Sequence, residues 1–188
     1  MNSEKPYSIL AELEQQVTGD LPPVHLWHPE KEIRMDLKIT RDGEWWHEGS
    51  PIERQRLKRL FSSILRKEPD GCYFLVTPVE KCRIEVEDVP FQAILLQTEG
   101  EGRERIISLT TNMADKVVVG TGHPLRFEFD PLTEEPSPYV MVRDGLEARL
   151  ARSVYYHLAD LCTEEETGDG KWLGVWSSGH FFKLLEMA

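Results

Sequence analysis

Leu37-Lys38-Ile39-Thr40-Arg41-Asp42-Gly43 and Tyr139-Val140-Met141-Val142-Arg143-Asp144-Gly145 are the two stretches on which the reading of the fold turns. In each, a strand pattern runs into Arg-Asp-Gly, a sequence with turn chemistry. An amphipathic helical pattern follows both, and then a glycine-initiated aromatic strand: Gly71-Cys72-Tyr73-Phe74 in the first half, Gly170-Lys171-Trp172-Leu173 in the second. Shared element order implies an internal duplication of strand-helix-strand units. The expected fold class is therefore α+β with mainly antiparallel sheets. Two lobes are expected, an N-terminal α+β lobe over residues 1–78 and an antiparallel α+β lobe over residues 79–188. Between related lobes lies a seam, and seams are where ligand pockets concentrate.

Working outward from the first stretch, Met35 to Ile39 alternates apolar and charged residues, and Trp45-Trp46 restarts an extended segment after the turn, so a β-hairpin is expected. Adjacent tryptophans in a strand point to opposite faces, which leaves only one of them for a shared core. Ser50-Pro51-Ile52-Glu53 has the form of a capping box with proline at the first helical position. Leu57, Leu60, Phe61, Ile64 and Leu65 then recur at helical spacing. Arg54, Arg56, Lys58, Arg59, Arg66 and Lys67 occupy the other face, so residues 53–68 carry a net charge of +4. Upstream, Ser8 to Gln16 reads as a short helix, and Val24 to Pro29 as a strap anchored by Trp27.

Downstream, Val79 to Phe129 is β-patterned throughout, with turns at Glu99 to Gly102 and Gly120 to Pro124 whose shortness implies antiparallel pairing. Tyr139 to Val142 is a further strand. A second helix is expected behind an Asp144 cap with Glu147 three places on, presenting Leu150, Ala151, Val154, Leu158 and Leu161 on one face. Glu164 to Gly170 reads as an acidic loop. Lys171 to Trp176 and His180 to Leu184 form a closing hairpin around Ser177-Ser178-Gly179.

Composition excludes several classes. The 188 residues are 40% hydrophobic with mean hydropathy −0.42, a balance suited to folded domains and unlike collagen, coiled coil or disorder. No apolar run approaches the ~20 residues that cross a bilayer, and the first residues lack a signal core, so a soluble, cytoplasmic protein is expected. Cys72, Cys82 and Cys162 are an odd set that suits a reducing compartment. A net charge of −11 repels duplex nucleic acid. Against that acidic background, the basic helix is a local inversion of sign.

Catalytic and metal patterns are thin. His25, His28 and His47 lack acidic or thiolate companions at ligand spacing, so no metal and no cofactor is expected. Cys72 and Cys82 read as small buried hydrophobes across the turn at Thr77-Pro78. Ser177-Ser178-Gly179-His180 sets a nucleophile type beside a base type without a legible orienting acid or nucleophile elbow. Gly120-Thr121-Gly122 lacks the third glycine and following helix of a phosphate loop. Trp172, Gly174 and Trp176 share one face of a strand, where glycine between two indoles leaves a gap that a ring or a backbone enters.

Blocks along nearly the whole chain resemble one bacterial family, that of the domain of unknown function numbered 1285. They are Pro22-Pro23-Val24-His25-Leu26-Trp27, Gly49-Ser50-Pro51-Ile52, Leu60-Phe61-Ser62-Ser63-Ile64-Leu65-Arg66, Tyr73 to Lys81, Glu87-Asp88-Val89-Pro90-Phe91, His123-Pro124-Leu125-Arg126 and Gly174-Val175-Trp176-Ser177. His28 departs from the asparagine-like residue that the family carries after Leu26-Trp27. The resemblance implies a duplicated α+β core with a C-terminal half like a pleckstrin-homology barrel. It also implies a small, nucleotide-like ligand between the halves and a role in signalling.

From the residues themselves, the expectation is a non-catalytic protein that binds a small anionic, ring-containing ligand in the seam. Arg54, Lys81 and Arg152 are the candidate cations, and Tyr155 and Trp176 the candidate aromatic surfaces. Two alternatives stand beside it. One is an interaction module that docks an acidic protein partner on the basic helix face; the other is a hydrolase using Ser177 or Ser178 with His180.

Overall fold

The computed structural model describes residues 21–187, which form two units divided between Asp88 and Val89. The expected helix over residues 8–16 lies outside the described residues. Among the described residues both units are mostly β, each has one α-helix, and the two halves are similar in element order. No helix among the described residues is long and apolar enough to cross a membrane.

In the first unit, β1 (Lys31–Ile39), β2 (Trp45–His47) and β3 (Ser50–Pro51) lead into helix α1 (Gln55–Ser63), and a meander of β4 (Leu65–Lys67), β5 (Tyr73–Val76) and β6 (Glu80–Val86) follows. All six strands make one sheet in the order β3-β2-β1-β6-β5-β4. The pairing of β1 with β6 is parallel and the rest are antiparallel. The hairpin turn works as its sequence suggests: Gly43 takes φ 76°, a left-handed conformation that costs glycine nothing, and its amide closes onto the Thr40 carbonyl at 2.9 Å. Beyond it the tryptophans part as expected. Trp45 is 1% exposed and stacks on Phe61 of α1, with ring centroids 6.1 Å apart, whereas Trp46 is half-buried.

The unit runs past the expected boundary at Pro78 to Asp88, because β6 is hydrogen-bonded between β1 and β5 in the middle of the sheet. The helix is also shorter than residues 53–68. Ser50 and Pro51 pair with His47 and Trp46, and the Ile52 amide donates to the Trp45 carbonyl at 2.7 Å, so the proposed capping box is drawn into the sheet instead. Arg54 becomes the N-cap, without a side-chain cap bond. At the other end Leu65, Arg66 and Lys67 pair with Leu75, Phe74 and Tyr73, which takes the last expected turn into β4. The Ser62 and Ser63 hydroxyls donate back to the Arg59 and Leu60 carbonyls at 2.8 and 2.7 Å, a habit of serine that competes with helix propagation.

The strap before β1 is a short 3₁₀ turn, Val24–Leu26. Its anchor is the buried Val24 together with Arg66, whose guanidinium donates to the Val24 and Trp27 carbonyls at 2.8 and 2.7 Å. The Trp27 indole is half-buried.

The second unit opens with β7 (Phe91–Glu99), β8 (Ile106–Thr111), β9 (Lys116–Val118), β10 (Leu125–Phe129), β11 (Pro136–Arg143) and β12 (Leu146–Leu150), a sheet in the order β10-β11-β12-β7-β8-β9. Here β12 pairs in parallel with β7. Strands β9 and β10 stand at opposite ends of this order, so the short Gly120 to Pro124 connection does not make the hairpin that its length suggested. Helix α2 (Arg152–Asp160) packs on β7, and a three-stranded sheet, β13 (Thr163–Thr167), β14 (Gly170–Ser177) and β15 (His180–Met187), closes the chain.

Asp144 does not cap α2. It sits in the β11–β12 turn at φ 44°, beside Gly145 at φ 78°, and Ala151 is the N-cap. The expected acidic loop is a strand: Glu164 lies opposite Leu173, and its carboxylate meets Lys171 at 2.5 Å. Both halves thus repeat strand, glycine turn, strand, helix and three-stranded meander. They differ in where the meander goes, into the shared sheet through β6 in one case and into a separate sheet in the other.

Candidate interaction site

The local sequence places a patch of cations at the start of α1. Leu57, Leu60, Phe61 and Ile64 face inward, Leu60, Phe61 and Ile64 being buried, which sends Arg56 and Arg59 to the exposed side, with Arg54 exposed just ahead and Lys58 half-buried. No acidic residue lies in the first turn. Cations at a helix N-terminus oppose the macrodipole, each by roughly 0.3–1 kcal/mol at an exposed site. None of Arg54, Arg56, Lys58 and Arg59 has an ionic partner among the described residues. Several cations elsewhere are paired: Lys31 with Glu80 at 2.6 Å, Lys38 with Glu87 at 2.5 Å, Arg66 with Glu68 at 2.5 Å, Arg143 with Asp115 at 2.7 Å and Lys183 with Asp169 at 2.5 Å. Arg126 clamps the nearly buried Glu147 at 2.6 Å and lies over the Tyr139 ring, and that pairing raises its pKa further.

The five residues expected to bind a ligand fall into different settings. Arg54 and Lys81 belong to the first unit, and Arg152, Tyr155 and Trp176 to the second. Lys81 meets Glu32 at 3.1 Å across the parallel β1–β6 pairing and lies 4.5 Å from the Phe74 ring centre. Arg152 donates to the Tyr156 hydroxyl at 3.1 Å, one turn along α2. Tyr155 is half-buried, its ring 5.8 Å from that of Tyr156, and burial pushes its hydroxyl pKa up. The structure therefore brings Arg152 and Tyr155 onto one helix with Tyr156, a residue the sequence reading passed over. Tyr156 is 53% exposed, and its place four residues after Arg152 was the available signal.

Trp176 is engaged on all sides that the described residues show. Its indole nitrogen donates to Glu165 at 2.8 Å, Arg103 lies 5.0 Å from its ring centre while bonding the same Glu165, and Phe181 packs against it at 5.3 Å. The gap expected at Gly174 is filled from within the sheet. A Cβ there would lie 2.3 Å from the Phe182 carbonyl oxygen and 2.6 Å from Cζ of Phe181.

The hydrolase constellation is not assembled. Ser177 is fully buried, and its hydroxyl accepts from the Ile107 amide and donates to the Val119 carbonyl at 2.7 Å. Ser178 donates to the same carbonyl at 2.9 Å, and Nδ1 of His180 lies against the Ser178 carbonyl oxygen, not a hydroxyl. Cys82 sits opposite Leu75, buried, with its thiol pushed up to about 11, and Cys72 instead accepts from Arg83 at 2.9 Å. Among the described residues, no group of three or more His, Cys, Asp and Glu side chains is disposed to hold a metal ion.

Comparison with known proteins places this geometry in a lineage. Residues 22–89 match the family model described as "Domain of unknown function (DUF1285), N-terminal domain", and residues 90–184 match that described as "Protein of unknown function (DUF1285), C-terminal domain". The junction falls one residue past the division between the two units. Among solved structures, a DUF1285 family protein from Silicibacter pomeroyi is 44% identical, with a TM-score of 0.84 over 95% of each chain. Another from Shewanella baltica is 25% identical, with a TM-score of 0.53 over 67% of this chain and 91% of its own. No curated protein matches the chain.

Proposed function

Because the chain belongs to the DUF1285 family, a membership that brings no activity with it, we propose a function from its own side chains: it is a non-catalytic binding protein that docks an acidic protein segment on the basic face of α1. The observation that carries this reading is the set Arg54, Arg56, Lys58 and Arg59, cations without ionic partners among the described residues of a chain whose net charge is −11. Charges left unpaired on an exposed face steer association with a complementary surface. The test is fluorescence anisotropy of a labelled ten-glutamate peptide. Binding is expected at low salt, weakening as ionic strength rises, and lost in R54E/R56E/R59E but kept in K116E, which reverses an exposed cation on β9. Equal binding by the parent and the triple variant would remove the reading.

A second reading has its own observation, the arginine with two tyrosines on α2. A small anionic, nucleotide-like ligand needs a cation and flat aromatic surface, and Arg152, Tyr155 and Tyr156 supply both within one unit. On this reading the C-terminal half is the pleckstrin-homology-like scaffold that presents them, and a signalling role follows from ligand-dependent docking. Thermal stabilisation by a nucleotide and metabolite set, abolished in R152A but not in R54E/R56E/R59E, separates it from the first.

A further inference from the structure

We propose that the acidic segment docked on α1 is the β10–β11 loop of a second copy of this chain, residues 128–135, so that the protein self-associates through the face an external partner would use. The inference rests on the docking role proposed for that face. Three observations carry it. First, Glu128, Phe129, Asp130, Pro131, Leu132, Thr133, Glu134 and Glu135 are all exposed and hold four carboxylates and no cation, opposite in sign to Arg54, Arg56, Lys58 and Arg59. Another acidic turn exposed throughout, residues 97–104, sets Arg103 among its three glutamates and holds no large apolar side chain. Second, the loop presents apolar anchors. Leu132 is 93% exposed and Phe129 43%, and Leu57, half-buried among the helix cations, is the apolar surface available to them. Apolar side chains ringed by charge have the composition of a small docking epitope. Third, the loop is shaped before it binds. Asp130 Oδ1 accepts from the Leu132 and Thr133 amides at 2.8 and 3.0 Å, the Glu134 amide donates to the Asp130 carbonyl at 2.8 Å, and the Asp130 amide donates to the Glu135 carbonyl at 3.0 Å. A preordered loop gives up little conformational entropy on docking.

The dimensions agree. From Arg54 to Arg59 the helix rises ~7.5 Å at ~1.5 Å per residue, while the two arms of the loop lie ~4.8 Å apart and Glu128 and Asp130 are ~7 Å apart along one of them. The carboxylates thus cover a patch of the same size as the one the cations present. One loop on one short helix buries less than the ~1,200 Å² of stable complexes, so the association is reversible and grows with concentration. An external acidic partner competes for the same cations, so partner binding and self-association exclude one another.

The experiment is sedimentation velocity of the full chain at low ionic strength, over ~10 to ~500 µM to bracket a weak contact. The parent is expected to sediment faster as concentration rises, and high salt to remove the shift. R54E/R56E/R59E leaves three glutamates against Lys58 on the helix, and E128K/E134K/E135K leaves three lysines against Asp130 on the loop. Each variant alone is expected to lose self-association, and an equimolar mixture of the two to regain it, because each offers the other the missing sign. Sedimentation of the parent that is independent of concentration, while the labelled ten-glutamate peptide still binds, overturns the second copy as occupant and leaves the docking face intact. Self-association that survives in either variant, or a mixture that does not recover it, overturns the proposal as well. No self-association and no peptide binding overturns both readings.

Discussion

Replacing Ser177 by alanine tests the architecture of the second unit at a single oxygen. The Val119 amide donates to the Ile107 carbonyl at 2.9 Å, as an antiparallel ladder requires, but the reciprocal link from the Ile107 amide to the Val119 carbonyl passes through Ser177 Oγ, at 3.0 and 2.7 Å. A hydroxyl from β14 is thus inserted at the end of the β8–β9 ladder and ties the three-stranded sheet to the six-stranded one. In S177A the Ile107 amide is buried without a partner, which costs about 1–3 kcal/mol. The Val119 carbonyl keeps Ser178 at 2.9 Å, so it adds little. In a domain of this size each kcal/mol lowers Tm by roughly 2–4 °C, so scanning calorimetry should show a fall of about 2–12 °C. S178A leaves both ladder groups satisfied by Ser177 and should cost less than S177A. S177A/S178A strips the carbonyl as well, so its loss should exceed the sum of the single losses. A Tm for S177A within a degree of the parent, or equal to that of S178A, refutes the inserted-hydroxyl account.

Three other outcomes are expected. G174A should lower the urea midpoint sharply, by an overpacking cost of about 1–3 kcal/mol or more, because its Cβ would overlap the Phe182 carbonyl oxygen, a backbone atom with little room to yield. R66A should speed amide exchange at Leu26 and Trp27 and cost about 1.5–3 kcal/mol, since it removes charge-assisted bonds to two strap carbonyls; R66K should restore only part, lacking the fork. At high pH the Cys82 thiol, pushed from its ordinary 9.0 to about 11 by burial, ionises later in the folded chain than in the unfolded one. Its contribution is fully present below pH 9 and is lost as pH rises from 9 to 11, so the alkaline fall in urea midpoint should be shallower in C82A.

The elements that the sequence predicts well are those set by local chemistry. Arg41-Asp42-Gly43 and Ser177-Ser178-Gly179 make the turns their residues suit, and the Trp45-Trp46 split follows from the period of a strand alone. The misplaced boundaries share a different cause. Ser50-Pro51 has the composition of a helix cap and Leu65-Arg66-Lys67 that of a helix end, yet both are taken up by adjacent strands, β2 across the left-handed Glu48-Gly49 turn and β5 across residues 68–72. Glu164 to Glu166 likewise has the polarity of a loop, but Lys171 and Trp176 on the neighbouring strand give two of its carboxylates partners. Pairing overrides propensity where a strand edge is available, and here the edge belongs to the adjacent strand of a hairpin.

The same reasoning decides how the candidate site reads. Sequence shows that α1 is basic, since its cations are consecutive, but not which cations elsewhere are already engaged. Lys81 looked as available as Arg54; it is neutralised by Glu32 only because β1 and β6 run parallel in a register that sets those two residues side by side. Arg152 looked like a free guanidinium, and a residue one helical turn away holds it. Arg54, Arg56, Lys58 and Arg59 are distinguished by lying together on one helix with no carboxylate brought to them among the described residues. Their acidic complement is absent from the described residues of a chain in which acids outnumber bases, 33 to 22. Lys31, Lys38, Lys171 and Lys183 do meet carboxylates on or beside neighbouring strands. On the docking reading proposed above, this face, at a helix end where the macrodipole already disfavours cations, serves an acidic partner and not the stability of the fold.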